Sequence, residues 1–128
     1  MTTEERLAKV ERKLAELQHE VRTRRVTILD GNGDVRAMLE VAEDGPRLTL
    51  CDENGKPRAF LSVDKDRPSL SLADENGKAR AALALQADGP RLALADENGE
   101  IRAGLCLAKT GPGLGLADEA GKTIWSAP

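Results

Sequence analysis

From Arg25 onward, apolar and polar residues alternate with a period of two, interrupted at regular intervals by Asn-Gly and Gly-Pro. Before Arg25 the period is that of a helix, because Leu7, Val10, Leu14, Leu17 and Val21 are spaced three, four, three and four. The first pattern predicts half-buried β-strands and the second an amphipathic helix over about residues 4–24.

The strand region repeats every 22 residues without insertion or deletion. Its units are RVTILDGNGDVRAMLEVAEDGP (25–46), RLTLCDENGKPRAFLSVDKDRP (47–68), SLSLADENGKARAALALQADGP (69–90), RLALADENGEIRAGLCLAKTGP (91–112) and the partial GLGLADEAGKTIWSAP (113–128). Asn54-Gly55 has the composition of a two-residue type I′ hairpin, which requires two residues of positive φ. In that register Glu53 faces Lys56, Cys51 faces Arg58, Leu50 faces Ala59, Thr49 faces Phe60 and Leu48 faces Leu61. Gly-Pro closes the second connection, with proline just before the next strand. The expected fold is mainly β with an N-terminal helix: residues 1–24 form one part, and residues 25–128 form an antiparallel meander of nine or ten short strands.

This register places the large aliphatics on one face, including Leu48, Leu50, Leu61, Leu70, Leu72, Leu83, Leu92 and Leu94. One sheet cannot cover its own face, so a second surface must do so. The helix suggests what that surface is. Leu7, Val10, Leu14, Leu17 and Val21 occupy the a and d positions of a coiled coil. Arg6-Leu7-Ala8-Lys9-Val10-Glu11 resembles the Arg-h-x-x-h-Glu motif of short trimeric coiled coils, with Arg6 at g and Glu11 at e. Three chains with aliphatic faces turned to a common axis would form a β-prism. The order of a short coiled coil followed by such a prism resembles the shafts of trimeric phage fibres and adhesins. That resemblance implies a homotrimeric structural or scaffold role. The competing fold is a monomeric β-solenoid, in which Leu48, Leu70 and Leu92 stack in parallel.

Charge and composition narrow the function. The net charge is −3, and residues 26–128 hold twelve Lys/Arg against seventeen Asp/Glu, so the body lacks the basic footprint of a nucleic-acid binder. With one Phe, one Trp and no Tyr there is no aromatic platform for bases or sugars. Two cysteines, Cys51 and Cys106, are too few for a disulfide framework. No apolar run reaches the roughly 20 residues of a membrane span, and the charged start, Met1-Thr2-Thr3-Glu4-Glu5, does not read as a secretory signal. The expected setting is cytoplasmic or virion-associated, without membrane insertion.

Candidate chemistry is sparse. Asp30-Gly31-Asn32-Gly33-Asp34 has oxygens at positions one, three and five of a calcium loop, but Val35 and Val41 stand where its glycine and final glutamate belong. Gly111-Pro112-Gly113-Leu114-Gly115 lacks the Lys and Ser/Thr of a phosphate loop. The single histidine, His19, has no nucleophile or acid array around it, so the chain is expected to be non-enzymatic and to need no cofactor or metal. Arg36, Arg58, Arg80 and Arg102 recur once per unit on the face opposite the leucines. Such a column can hold an anionic ligand or acidic partner, or it can pair with the turn acids beside it. The opposite face also tapers to small residues, from Met38 and Phe60 to Ala82, Ala93, Gly104 and Gly115. Trp125 stands where earlier units carry Ala59, Ala81 and Ala103, opposite Leu116, as an end plug.

Overall fold

A computed structural model of the chain describes residues 1–17 and 22–128. Helix α1 spans Thr3–Leu17. Thr2 caps it: the Thr2 hydroxyl accepts the Glu5 N–H at 3.1 Å, and the Glu5 carboxylate accepts the Thr2 N–H at 2.6 Å. Both groups are thereby satisfied at an otherwise orphaned terminus. Residues 22–24 are not helical, and Val21 and His19 lie outside the described residues.

Ten strands follow: β1 (Arg25–Leu29), β2 (Val35–Ala42), β3 (Gly45–Cys51), β4 (Pro57–Asp64), β5 (Arg67–Ala73), β6 (Ala79–Gln86), β7 (Gly89–Ala95), β8 (Ile101–Ala108), β9 (Gly111–Ala117) and β10 (Thr123–Ala127). They form one open antiparallel sheet in chain order. This excludes the solenoid alternative. Leu48 and Leu70 are separated by β4 with Leu61, and Leu70 and Leu92 by β6 with Leu83, so no parallel leucine stack exists.

The inner register agrees with the alternation, pairing Leu48 with Leu61 and Leu50 with Ala59. The hairpin turn differs from the type I′ expectation. Only its glycine has positive φ, as in Gly55 (76°) and Gly77 (80°). The Gly55 N–H donates to the Asp52 carbonyl at 3.0 Å, and the Asp52 N–H donates to the Lys56 carbonyl at 2.9 Å. This is a type I turn closed by a left-handed glycine and a bulge, so Cys51 pairs with Pro57 rather than Arg58 and Glu53 does not face Lys56. The cause is the aspartate that opens each turn. The Asp52 carboxylate accepts the N–H groups of Asn54 (2.9 Å) and Lys56 (3.0 Å), an Asx arrangement favouring a type I turn. The bulge absorbs the extra residue, and the aliphatic register beyond it is unchanged.

Three rows of side chains run across the strands on the aliphatic face. The row nearest the Asn-Gly turns alternates large and small: Ile28, Ala37, Leu50, Ala59, Leu72, Ala81, Leu94, Ala103, Leu116 and finally Trp125. The central row is aliphatic throughout, from Val26 and Leu39 to Leu105 and Leu114. The third row pairs Val41 with Pro46, Val63 with Pro68, Leu85 with Pro90 and Leu107 with Pro112.

No core lies beneath these rows. Among the described residues Ala73 is the sole buried apolar side chain, and α1 packs against no strand. The chain exposes 10066 Å². A folded monomer of its 13.7 kDa mass exposes about 6,600 Å² by the scaling of surface with mass. The excess, roughly 3,500 Å², is of the size that obligate subunit interfaces remove.

Candidate functional site

Two features could carry function: the arginine column at the turn end of the sheet and the uncovered aliphatic surfaces. Each arginine of the column sits beside the bulge that follows a turn, and its guanidinium faces both ways. Arg58 Nη1 lies 3.3 Å from Asp52 Oδ2 of its own turn, while Arg58 Nε donates to the Ala73 carbonyl on β5 at 2.8 Å. Arg80 repeats this with Asp74 (3.5 Å) and the Ala95 carbonyl on β7 (2.8 Å). Arg36 reaches Asp30 (3.6 Å) and the Cys51 carbonyl (3.4 Å). Arg102 holds Asp96 at 2.5 Å and donates to the carbonyls of Asp118 and Glu119. The column is therefore a ladder in which each of the first four hairpins fastens its own turn and the end of the next hairpin. Ile124 replaces the arginine in the fifth unit and ends the series.

The aspartates of this ladder are held below their ordinary pKa. The largest cause is a backbone N–H for Asp30 (from Asp34), Asp52 (from Lys56) and Asp74 (from Lys78), with the arginine adding to it. For Asp96 partial burial acts most strongly and upward, but the Glu100 and Asn98 N–H groups and Arg102 together outweigh it. Asp30, which opens the calcium-like sequence, accepts the N–H groups of Asn32 (2.9 Å) and Asp34 (3.1 Å) as well as facing Arg36, so its carboxylate is built into the turn. Among the described residues no group of three or more His, Cys, Asp or Glu is placed to hold a metal ion.

One ionic cluster has no counterpart in other units. Glu40 on β2 is only 7 % exposed, on the face opposite the leucines, between Arg25 on β1 and Arg47 on β3. Each guanidinium grips it with two nitrogens, Arg25 at 2.8 and 2.6 Å and Arg47 at 2.9 and 2.9 Å. Hydrogen bonds from Arg47 and then Arg25 hold its carboxyl below the usual range. Arg25 engages Oε2 and Arg47 engages Oε1, so both carboxylate oxygens accept charge-assisted hydrogen bonds, which are stronger than neutral ones. The cluster ties the edge strand where the helical segment joins to the two strands behind it.

The depressed carboxyls predict the acid response. Their folded pKa lies below the unfolded value near 4, so their stabilisation is complete above that value and disappears as pH falls through the folded pKa. The melting temperature should stay nearly level from pH 8 to about 5 and fall steeply below about 4. Glu40→Gln should lower it at pH 7 and flatten the acid limb. An acid limb as steep as wild type in circular-dichroism melts would mean that Glu40 carries none of this linkage.

Among the described residues no other element packs against the aliphatic surfaces. On the sheet, Leu83 is 51 % exposed, and its neighbours in the central row are mostly exposed too. On α1, Leu7, Val10, Leu14 and Leu17 are between 56 % and 63 % exposed along one stripe, with Arg6 and Glu11 beside it. Trp125 lies on the same sheet face, paired with Leu116 as the register requires. Cys51 and Cys106 are free thiols. No helix among the described residues is long and apolar enough to cross a membrane.

Sequence reasoning singled out the arginines and named the turn acids as their possible partners, but missed the backbone carbonyls that take the other half of each guanidinium. It also missed Glu40 with Arg25 and Arg47; their register opposite one another on three neighbouring strands was the available signal. The sequence matches no protein-family profile and no curated protein.

Proposed function

We propose that this is a non-catalytic, homotrimeric structural protein, a short shaft or scaffold in which the helix sets the register of three chains and the repeat sheets enclose a common aliphatic core. The observation carrying this reading is a ten-stranded sheet with one continuous aliphatic face that nothing among the described residues covers. Each large side chain of that face contributes roughly 1.5–3 kcal/mol when buried. The helix points the same way, because a 15-residue helix is marginal alone in water and its apolar stripe is unpartnered. The partner that matches both surfaces at once is another copy of the chain, and the Arg6–Glu11 motif favours three copies.

The arginine column belongs to this reading as internal fastening. Each guanidinium is already bound to an aspartate and a neighbouring carbonyl, so part of its charge and donor capacity is committed to the fold. Rigidity of the shaft, rather than ligand capture, is the role this arrangement supports. Small-angle X-ray scattering on the full chain tests the proposal. The expected particle has three chains' mass and an elongated profile; a scatterer of one chain's mass would overturn it.

A further inference from the structure

We propose that neighbouring chains meet along an asymmetric seam, in which the turn-side row of one chain packs against the proline-side row of the next at each strand level from β2 to β9, with all chains parallel. This rests on the trimeric reading above and specifies its interface. Along β6 the face presents Ala81, Leu83 and Leu85, and along β7 it presents Leu94, Leu92 and Pro90. Ala81 pairs with Leu94 and Leu85 with Pro90, and the same alternation recurs through the repeats. The two margins of the sheet are thus in opposite phase: a strand small at its turn-side margin is large at its proline-side margin.

Within one chain these margins cannot compensate each other. Ala81 and Leu85 are four residues apart on one strand, about 13 Å. Around an axis running up the stack of strands, equal strands lie at equal height and opposite margins meet. Every corner then receives one small and one larger side chain, Ala81 against Leu85 or Leu94 against Pro90. Near-constant volume at every level is what dense packing requires. The helix selects this axis independently. Each chain has a single apolar helical stripe, at one end of its sheet, and only parallel chains bring those stripes together. A two-fold axis along the strands would put the helices at opposite ends and bring two Ala81 positions within about one strand spacing along the stack, across sheets facing at about 10 Å.

Cross-linking with a short bismaleimide tests the seam, in full-length chains where Cys51→Ser and Cys106→Ser remove the native thiols. Ala81→Cys and Leu85→Cys together should give a covalent three-chain species on denaturing gels, while either substitution alone should leave single chains. Linked pairs from Ala81→Cys alone would overturn the parallel seam. So would absence of linking in the double variant when light scattering of the same protein gives three chains. If that scattering gives one chain, the trimeric reading itself fails and the seam with it.

Discussion

Leu83→Asp is expected to break the assembly while Ala82→Asp, one residue away on the opposite face, leaves it intact. In a single chain Leu83 is half-exposed, so an aspartate there costs the isolated sheet little. In the proposed assembly three copies converge on the axis. With half of each side chain left to bury, lost burial alone amounts to about 2–5 kcal/mol per trimer, half of the roughly 1.5–3 kcal/mol for a fully exposed leucine, before three like charges are confined together. That corresponds to a loss on the order of 10²–10³ in the association constant from burial alone. Size exclusion should show the three-chain peak replaced by single chains or by material that no longer melts cooperatively. A Leu83→Asp protein that elutes and melts as wild type would show that the central row faces water, contrary to the proposal.

The second large effect is expected at Gly89. This residue has φ of 135°, and a Cβ built on it would stand 1.8 Å from the Leu107 carbonyl oxygen on β8. Gly45 is in the same position over Val63, at 2.0 Å, where the second connection of one unit crosses the backbone of the next. Gly111 has a similar φ of 124° but nothing within 4 Å. Gly89→Ala and Gly111→Ala therefore share a backbone strain of roughly 1–3 kcal/mol, and only the first adds a collision with main chain. Chemical unfolding should show Gly89→Ala as clearly the more destabilised; equal losses would mean the crossing is loose. Unit two shows how the constraint can be avoided. It has Arg67 in place of the glycine, and Lys65 takes the positive φ of 58° instead.

These two sites also show what could be read from sequence. The strand period, the 22-residue repeat and the pairing of Leu48 with Leu61 followed from alternation, because an error of one residue would have turned every leucine to the other face. The turn type did not follow. A type I′ loop and a type I turn with a bulge give the same register beyond Leu50, and the aspartate that decides between them acts through its own backbone bonds. The arginine column was legible as a column and its turn acids as candidate partners. Its carbonyl acceptors on the next hairpin were not, because backbone oxygens carry no sequence signature. Gly89 read as an ordinary turn glycine, and its approach to Leu107 emerged only with three-dimensional register. The helix was expected over about residues 4–24; α1 is described from Thr3 to Leu17, and residues 22–24 are not helical.

The repeats thus build two faces with separate duties. One is fastened internally by turn aspartates, arginines and the Glu40 clamp, which stiffen a sheet that has no second layer. The other is left aliphatic, with margins shaped in opposite phase. On the proposed reading, copies of the chain supply the missing layer.

Light scattering coupled to size exclusion, repeated on serial dilution into the low micromolar range, tests that claim most directly. The account predicts a single species of about 41 kDa, three times the chain's 13.7 kDa. A monodisperse, folded species at 13.7 kDa would contradict it.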